Sequence, residues 1–222
     1  MNRLFDFSIE QKVIQVNYQF SLDHALGESF LSKDKVYSYI NIPKNASSKA
    51  KRIFHRWTPA NFQNVQDRPT GEYIVILRDP TARWISAMAE YLVGKYSLLG
   101  TKNNALDDQE IYKIIDSIVF QNLLFDFVIF DAHSLPQCWF LQNLKINNIK
   151  FFYLDETVFD RICTHTNVDK RTDGLVNASM GINKKHIIIK YLKELISTDP
   201  KLQKIIDIHY YSDHKLFDQI KF

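Results

Sequence analysis

Hydrophobic and polar positions along this chain switch between a strand period and a helix period. Val36 to Ile42 (VYSYINI) is short, β-branched and aromatic and stops at Pro43, which predicts a strand. Residues 47–57 (SSKAKRIFHRW) change to helical spacing, with Ile53, Phe54 and Trp57 on one face and Ser47 or Ser48 near the start. Tyr73 to Leu77 (YIVIL) is a continuous apolar run, the pattern of a strand covered on both faces of a parallel sheet. Asp79-Pro80 then opens a helix to about Tyr96, the proline suiting its first turn. Residues 107–125 carry Ile111, Ile114, Ile115, Ile118 and Val119 as a helical stripe, and a short apolar segment, Phe127 to Phe130, follows. Ile149 to Leu154 (IKFFYL) predicts a third central strand, succeeded by helices over 156–166, 183–197 and 200–219. Val13, Ile14, Val16, Tyr18 and Phe20 alternate loosely, so residues 1–35 read as an N-terminal extension or an edge strand or hairpin.

Strands alternating with helices imply an α/β domain with a mostly parallel central sheet flanked by helices. No linker or repeat divides residues 1–222, which are therefore expected to form one domain. In such folds ligands bind beyond the carboxyl ends of the strands. Three segments meet that condition: Pro43–Ser48, Arg78–Ser86 and the residues just after Leu154.

Composition narrows the classes. Hydrophobic residues at 45% and charged residues at 24% exclude a disordered chain, a collagen-like repeat and a disulfide-stapled mini-domain. Cys138 and Cys163 form no CxxC pair, so neither a zinc site nor a disulfide framework is expected, and no other cluster suggests a metal. The net charge of +3 fits a small anionic ligand and, without a basic stripe interleaved with aromatics, argues against nucleic acid as a partner. No run of eighteen apolar residues occurs and the start lacks a signal-peptide pattern, so the expectation is a soluble cytoplasmic protein with no membrane partner. Nothing in the pattern speaks to oligomeric state.

The first candidate segment runs from strand through tight turn to helix start: Pro43-Lys44-Asn45-Ala46-Ser47-Ser48-Lys49. Such a turn aims successive N–H groups at one point, to which Lys44 adds a point charge and the serines add hydroxyls. An ordinary βα loop with a capping serine is the plain alternative. The glycines of a GxxxxGK[ST] loop are absent, so this is not a Walker A motif. In the second segment, Arg78 leaves a buried strand and needs an anion, either a ligand or a carboxylate such as Asp79. Ser86 lies further along the following helix, where its hydroxyl can reach the same anion. Arg83 reads as structural, or as a partner of Asp79.

Together these residues carry a resemblance. PKNASS after one strand and RDPxxRxxS after the next are similar to the motifs of carbohydrate sulfotransferases that use 3′-phosphoadenosine 5′-phosphosulfate (PAPS). Later segments resemble the same family in the same order. Asp131-x-His133-x-x-Pro136-Gln137 is similar to its DxHxxPQ segment, and Phe151 to Glu156 to its strand-plus-acidic step. Asn177-Ala178-Ser179 is similar to its late loop, and Tyr211-Ser-Asp213-His-Lys-Leu-Phe217 to its closing helix. Ala46, Ser47 and Ser48 stand where many relatives carry Gly, Cys or Thr, and Ser134 stands where an aromatic is common.

The resemblance implies a P-loop-like three-layer fold and transfer of a sulfuryl group from PAPS to a hydroxyl or amine of a glycan or small alcohol. It implies that the loop from Lys44 to Lys49 holds the 5′-phosphosulfate, while Arg78 and Ser86 hold the 3′-phosphate. Lys44 beside the leaving oxygen would stabilise its charge. A hydroxyl acceptor wants a general base; His133, oriented by Asp131, is the first choice and His55 the alternative. His133 as a structural histidine is the competing reading. Trp84, Tyr91 and Trp139 are candidates to line an acceptor pocket or to fill the core, and Lys184-Lys185 to cover the cofactor or to face solvent. A nucleotide kinase or NTPase is the rival enzyme class, though it wants a glycine-rich loop and Mg²⁺ ligands. A non-catalytic nucleotide-binding module would keep Lys44, Arg78 and Ser86 and lack a base.

Overall fold

The computed structural model describes residues 27–95, 107–123, 132–142, 144, 146–168 and 183–220. Its strands are β1 (Glu28–Leu31), β2 (Tyr37–Ile40), β3 (Thr58–Asn61), β4 (Glu72–Leu77) and β5 (Ile149–Tyr153). Its helices are α1 (Ser47–Ile53), α2 (Pro80–Lys95), α3 (Asp108–Leu123), α4 (Val158–Thr166), α5 (Asn183–Thr198), α6 (Pro200–His209) and α7 (Tyr211–Gln219). The five strands form one open sheet in the order β3-β1-β2-β4-β5.

The α/β expectation holds, and the mostly parallel sheet is corrected to a mixed one. β4 lies between β2 and β5 and runs parallel to both, while β1 pairs antiparallel with β2 and with β3. The cause is local. Ser32 to Lys35 make a tight turn, with Lys35 N–H donating to Ser32 O at 2.9 Å and Lys35 at φ 58°. So short a connection can only return the chain antiparallel. β3 (TPAN) has no apolar alternation and contains Pro59, so its sequence gives no strand signal. Proline is tolerated there because β3 is the outer strand, where a missing ladder donor costs little. The alternation at Val13–Phe20 lies outside the described residues.

β4 shows why its run is apolar throughout. Tyr73, Val75 and Leu77 face one core with Leu135, Trp139, Phe140 and Leu216. Ile74 and Ile76 face the other with Phe54, Trp57, Phe159 and Ile162 of the α1 and α4 side. A third core joins α2, α3, α5 and α6 around Trp84, Ile115, Leu192 and Ile206. Trp84 and Trp139 are thus buried core residues, the second of the two readings open for them.

Helix ends follow capping chemistry. The Asp79 carboxylate accepts from Ala82 N–H at 2.7 Å and so caps α2. Asp199 caps α6 through Lys201 and Leu202, with Pro200 in the first turn. The single helix expected over 200–219 divides at Tyr210, which leaves helical geometry at φ −102°, ψ 21°. Buried Tyr210 donates its hydroxyl to Ser134 O, tying this bend to the segment before Gln137. α1 stops at Ile53 rather than Trp57. The segment Phe127–Phe130 lies outside the described residues. Among those described, no helix is long and apolar enough to cross a membrane.

Candidate functional site

β2 and β4 are parallel neighbours, so the loops leaving their carboxyl ends emerge side by side. The first loop turns through two left-handed residues, Lys44 at φ 68° and Ala46 at φ 60°. Neither is glycine, and such positions cost roughly 1–3 kcal/mol each when a side chain is present. Alternating left-handed and ordinary residues is the dihedral pattern of an anion nest, in which the Asn45 N–H is already used, donating to Ile42 O at 3.2 Å. Ser47 and Ser48 start α1, where N–H groups have no helical acceptor. Lys49 N–H is already used, donating to Ala46 O at 3.0 Å. Its ammonium lies over the Phe159 ring, 4.8 Å from the centroid, on the α4 side of α1. The helix start also has Ala46 in the cap position and no side-chain cap bond, so neither serine spends its hydroxyl on capping.

Arg78 closes the space between the loops. Its Nη1 donates to Lys44 O at 3.0 Å, and no carboxylate of the described residues forms an ion pair with it. Burial first, and then the nearby Arg83 charge, lower its pKa, with Asp79 and Tyr153 opposing. A half-buried guanidinium held against a backbone carbonyl and near a second arginine is a strong demand for an anion. Arg83 is fully buried; its Nε donates to Pro43 O at 3.1 Å and its Nη1 to Leu135 O. It clamps the first loop to the segment before Gln137 instead of pairing with Asp79, whose carboxylate caps α2. Ser86 is half-buried on α2, and in the first loop Ser47 is half-buried and Ser48 exposed.

The organising residue is a buried amide. Gln137 is fully buried. Its Oε1 accepts from Asn45 Nδ2 at 2.6 Å and from Arg78 N–H at 2.9 Å. Its Nε2 donates to Arg78 O at 2.8 Å and to Asp213 Oδ2 at 3.2 Å. Asp213, also fully buried, further accepts from Gln137 N–H and Cys138 N–H, each at 2.9 Å. Burial raises the Asp213 pKa, against the opposing Arg83 charge and these hydrogen bonds. Asn45 completes the joint by donating to Ile76 O at 2.7 Å. One amide therefore fastens the first loop, the end of β4 and α7 together. The only sequence signal for Gln137 and Asp213 was their place in the later resemblance segments.

His133 is half-buried in the same segment as Leu135 and Gln137, and Asp131, its expected orienter, lies outside the described residues. His55 is corrected. It is exposed beyond the far end of α1, its Nδ1 is 2.8 Å from Arg52 O, and it lines a cavity with Asp34, Tyr37 and Asn167. Tyr37 begins β2, whereas the Pro43–Ser48 loop follows the strand's other end, so the length of α1 separates His55 from it. Asn177–Ser179 lie outside the described residues.

Lys44 Nζ stands 3.3 Å from Glu90 Oε2 on α2, and Lys185 of α5 bonds the same oxygen. The Lys185 hydrogen bond first, then the Lys44 and Lys185 charges, hold the Glu90 carboxyl below its ordinary 4.5 despite partial burial. A depressed carboxylate pKa stabilises the fold above the ordinary value, and that contribution is lost as pH falls through the lowered one. Glu90→Gln is therefore expected to flatten the acid side of a urea-midpoint profile below about pH 4.5 and to leave its shape near neutrality alone. An unchanged acid limb would show that these contacts do not persist in solution.

Comparison with known protein families, curated proteins and solved structures finds no match for this chain. The functional reading therefore rests on the residues and their geometry.

Proposed function

We propose that this chain is a sulfotransferase that moves a sulfuryl group from PAPS to an acceptor hydroxyl or amine of a glycan or small alcohol. The observation that carries the reading is the joint between the two strand-end loops. Arg78, lacking a carboxylate partner among the described residues, is held against Lys44 O beside a nest built without glycine. Gln137 and Asp213, from the two later segments that resemble the family, secure that joint. A glycine-rich Mg²⁺-dependent phosphate loop is a different construction.

In the proposed reaction the acceptor oxygen attacks sulfur in line while the bond from sulfur to the bridging oxygen breaks. The acceptor's proton passes to His133, and the electron pair of the broken bond goes to the 5′-phosphate of adenosine 3′,5′-bisphosphate. Lys44 and the loop N–H groups of Ser47 and Ser48 stabilise the charge developing there. Arg78 and Ser86 bind the 3′-phosphate, a contact equal in ground and transition states that sets affinity rather than turnover.

Adenosine 3′,5′-bisphosphate should therefore raise the melting temperature far more than AMP at equal concentration, since a ligand of the native state stabilises by RT ln(1 + [L]/Kd). Arg78→Ala should remove about 1.5–3 kcal/mol of that binding, the size of a hydrogen bond to a charged group. Equal shifts with AMP, or a shift only with ATP–Mg²⁺, would overturn the reading in favour of another nucleotide enzyme.

A further inference from the structure

Glu90 and Lys185 belong to no step of the proposed reaction, yet they converge on its central cation. Lys44 comes from the first loop, Glu90 from α2 and Lys185 from α5, and both ammonium groups touch one carboxylate oxygen, Glu90 Oε2. Two ammoniums sharing one oxygen stand within roughly 6 Å of each other. The Lys44 side chain is only 14% exposed, so its charge has little water to solvate it. Glu90 is 48% exposed, so this carboxylate faces the approach from solvent. Its depressed pKa keeps it anionic at neutral pH.

Resting on the sulfotransferase reading, we infer that the Glu90 carboxylate is an internal stand-in for the ligand's anionic group and that Lys185 is a second binding cation. An incoming phosphate or sulfo group offers three oxygens where Glu90 offers one to both lysines. It can accept from Lys44 and Lys185 together, displacing the carboxylate toward solvent. Lys185 then holds the anionic group from the side opposite the loop, and Glu90 sets affinity by competing for the same two donors. The ligand class is a phosphate ester or phosphosulfate, whose several anionic oxygens can accept from both ammonium groups at once.

The test uses isothermal titration of the full chain with two probes: adenosine 3′,5′-bisphosphate, and inorganic pyrophosphate, which has no nucleoside. Glu90→Gln keeps the size of the side chain and removes the competing charge. It is expected to tighten both probes about fivefold to fiftyfold, a coupling typical of a released competing interaction. Lys185→Met is expected to weaken both by about tenfold, and Lys185→Arg to restore most of the loss. Far-ultraviolet circular dichroism of each variant checks that it is folded. A merely structural ion-pair cluster predicts that Glu90→Gln leaves affinity unchanged or weakens it, and that result overturns the inference. If pyrophosphate tightens in Glu90→Gln while the bisphosphate binds no variant, the two-lysine clamp stands and the PAPS reading falls. If the bisphosphate binds well and neither substitution changes it, the PAPS reading stands and the clamp falls.

Discussion

Replacing Gln137 with leucine is expected to lower the unfolding free energy by about 2–5 kcal/mol and to weaken adenosine 3′,5′-bisphosphate binding by roughly tenfold or more. Leucine fills a similar volume but returns none of the four side-chain hydrogen bonds to Asn45, Arg78 and Asp213. The Arg78 N–H and carbonyl then lose the partner that joins them, and each buried polar group left unsatisfied costs about 1–3 kcal/mol. Asn45 keeps its bond to Ile76 O and Asp213 keeps two backbone donors, which bounds the loss. Binding weakens because the Arg78 backbone is no longer held beside the first loop. Gln137→Glu should be at least as damaging, since it sets a second carboxyl against Asp213 Oδ2 and removes the donor to Arg78 O. Urea denaturation at constant m gives the first quantity and calorimetric titration the second. A loss below about 1 kcal/mol with normal binding would mean that the joint is not what holds the loops together.

Removing the imidazole of His133 is expected to cut acceptor-dependent release of adenosine 3′,5′-bisphosphate by about 10²–10⁴-fold, the range of a lost general base. Affinity for the bisphosphate should change by less than about twofold, because His133 is assigned to the acceptor's proton and not to a phosphate. The structure sharpens this prediction. The segment carrying His133 is anchored independently of its ring, by Arg83 to Leu135 O and by Tyr210 to Ser134 O. Loss of the ring should therefore leave the backbone of Ser134 and Leu135 held in place. His55→Ala, at the opposite end of α1, serves as the control and should retain full turnover. Near-normal turnover in His133→Ala would withdraw the base assignment. A large fall in stability would instead show a structural histidine.

Much of the framework is local and can be read locally. The apolar run of β4, the period of α2 and α3 and the Asp79-Pro80 start follow from which side chains must face a core. So does the location of the two candidate loops, because strands β2 and β4 end just before the turns that carry Pro43 and Arg78. β3 escaped because it is too polar and short to show a period, and β5, expected to be central, is the sheet's other edge, because strand order and pairing direction depend on turn geometry and neighbours. α1 is continuous with the loop in sequence, yet it carries His55 to a cavity beyond its far end and sets the Lys49 ammonium over Phe159.

What the sequence determined by itself was a set of strands and helices with Lys44, Arg78 and their loops at strand ends, since side-chain periodicity and turn chemistry act over a few residues. The tertiary structure decided the rest. Gln137 and Asp213 lie 76 positions apart in the chain and are polar, yet the fold buries both and spends them on one joint. Lys185 meets Glu90 across 95 positions because α5 packs on α2. Contacts of that span leave no period in a sequence: they exist only once the apolar faces have docked, and docking then sets which polar groups lose water and must find each other.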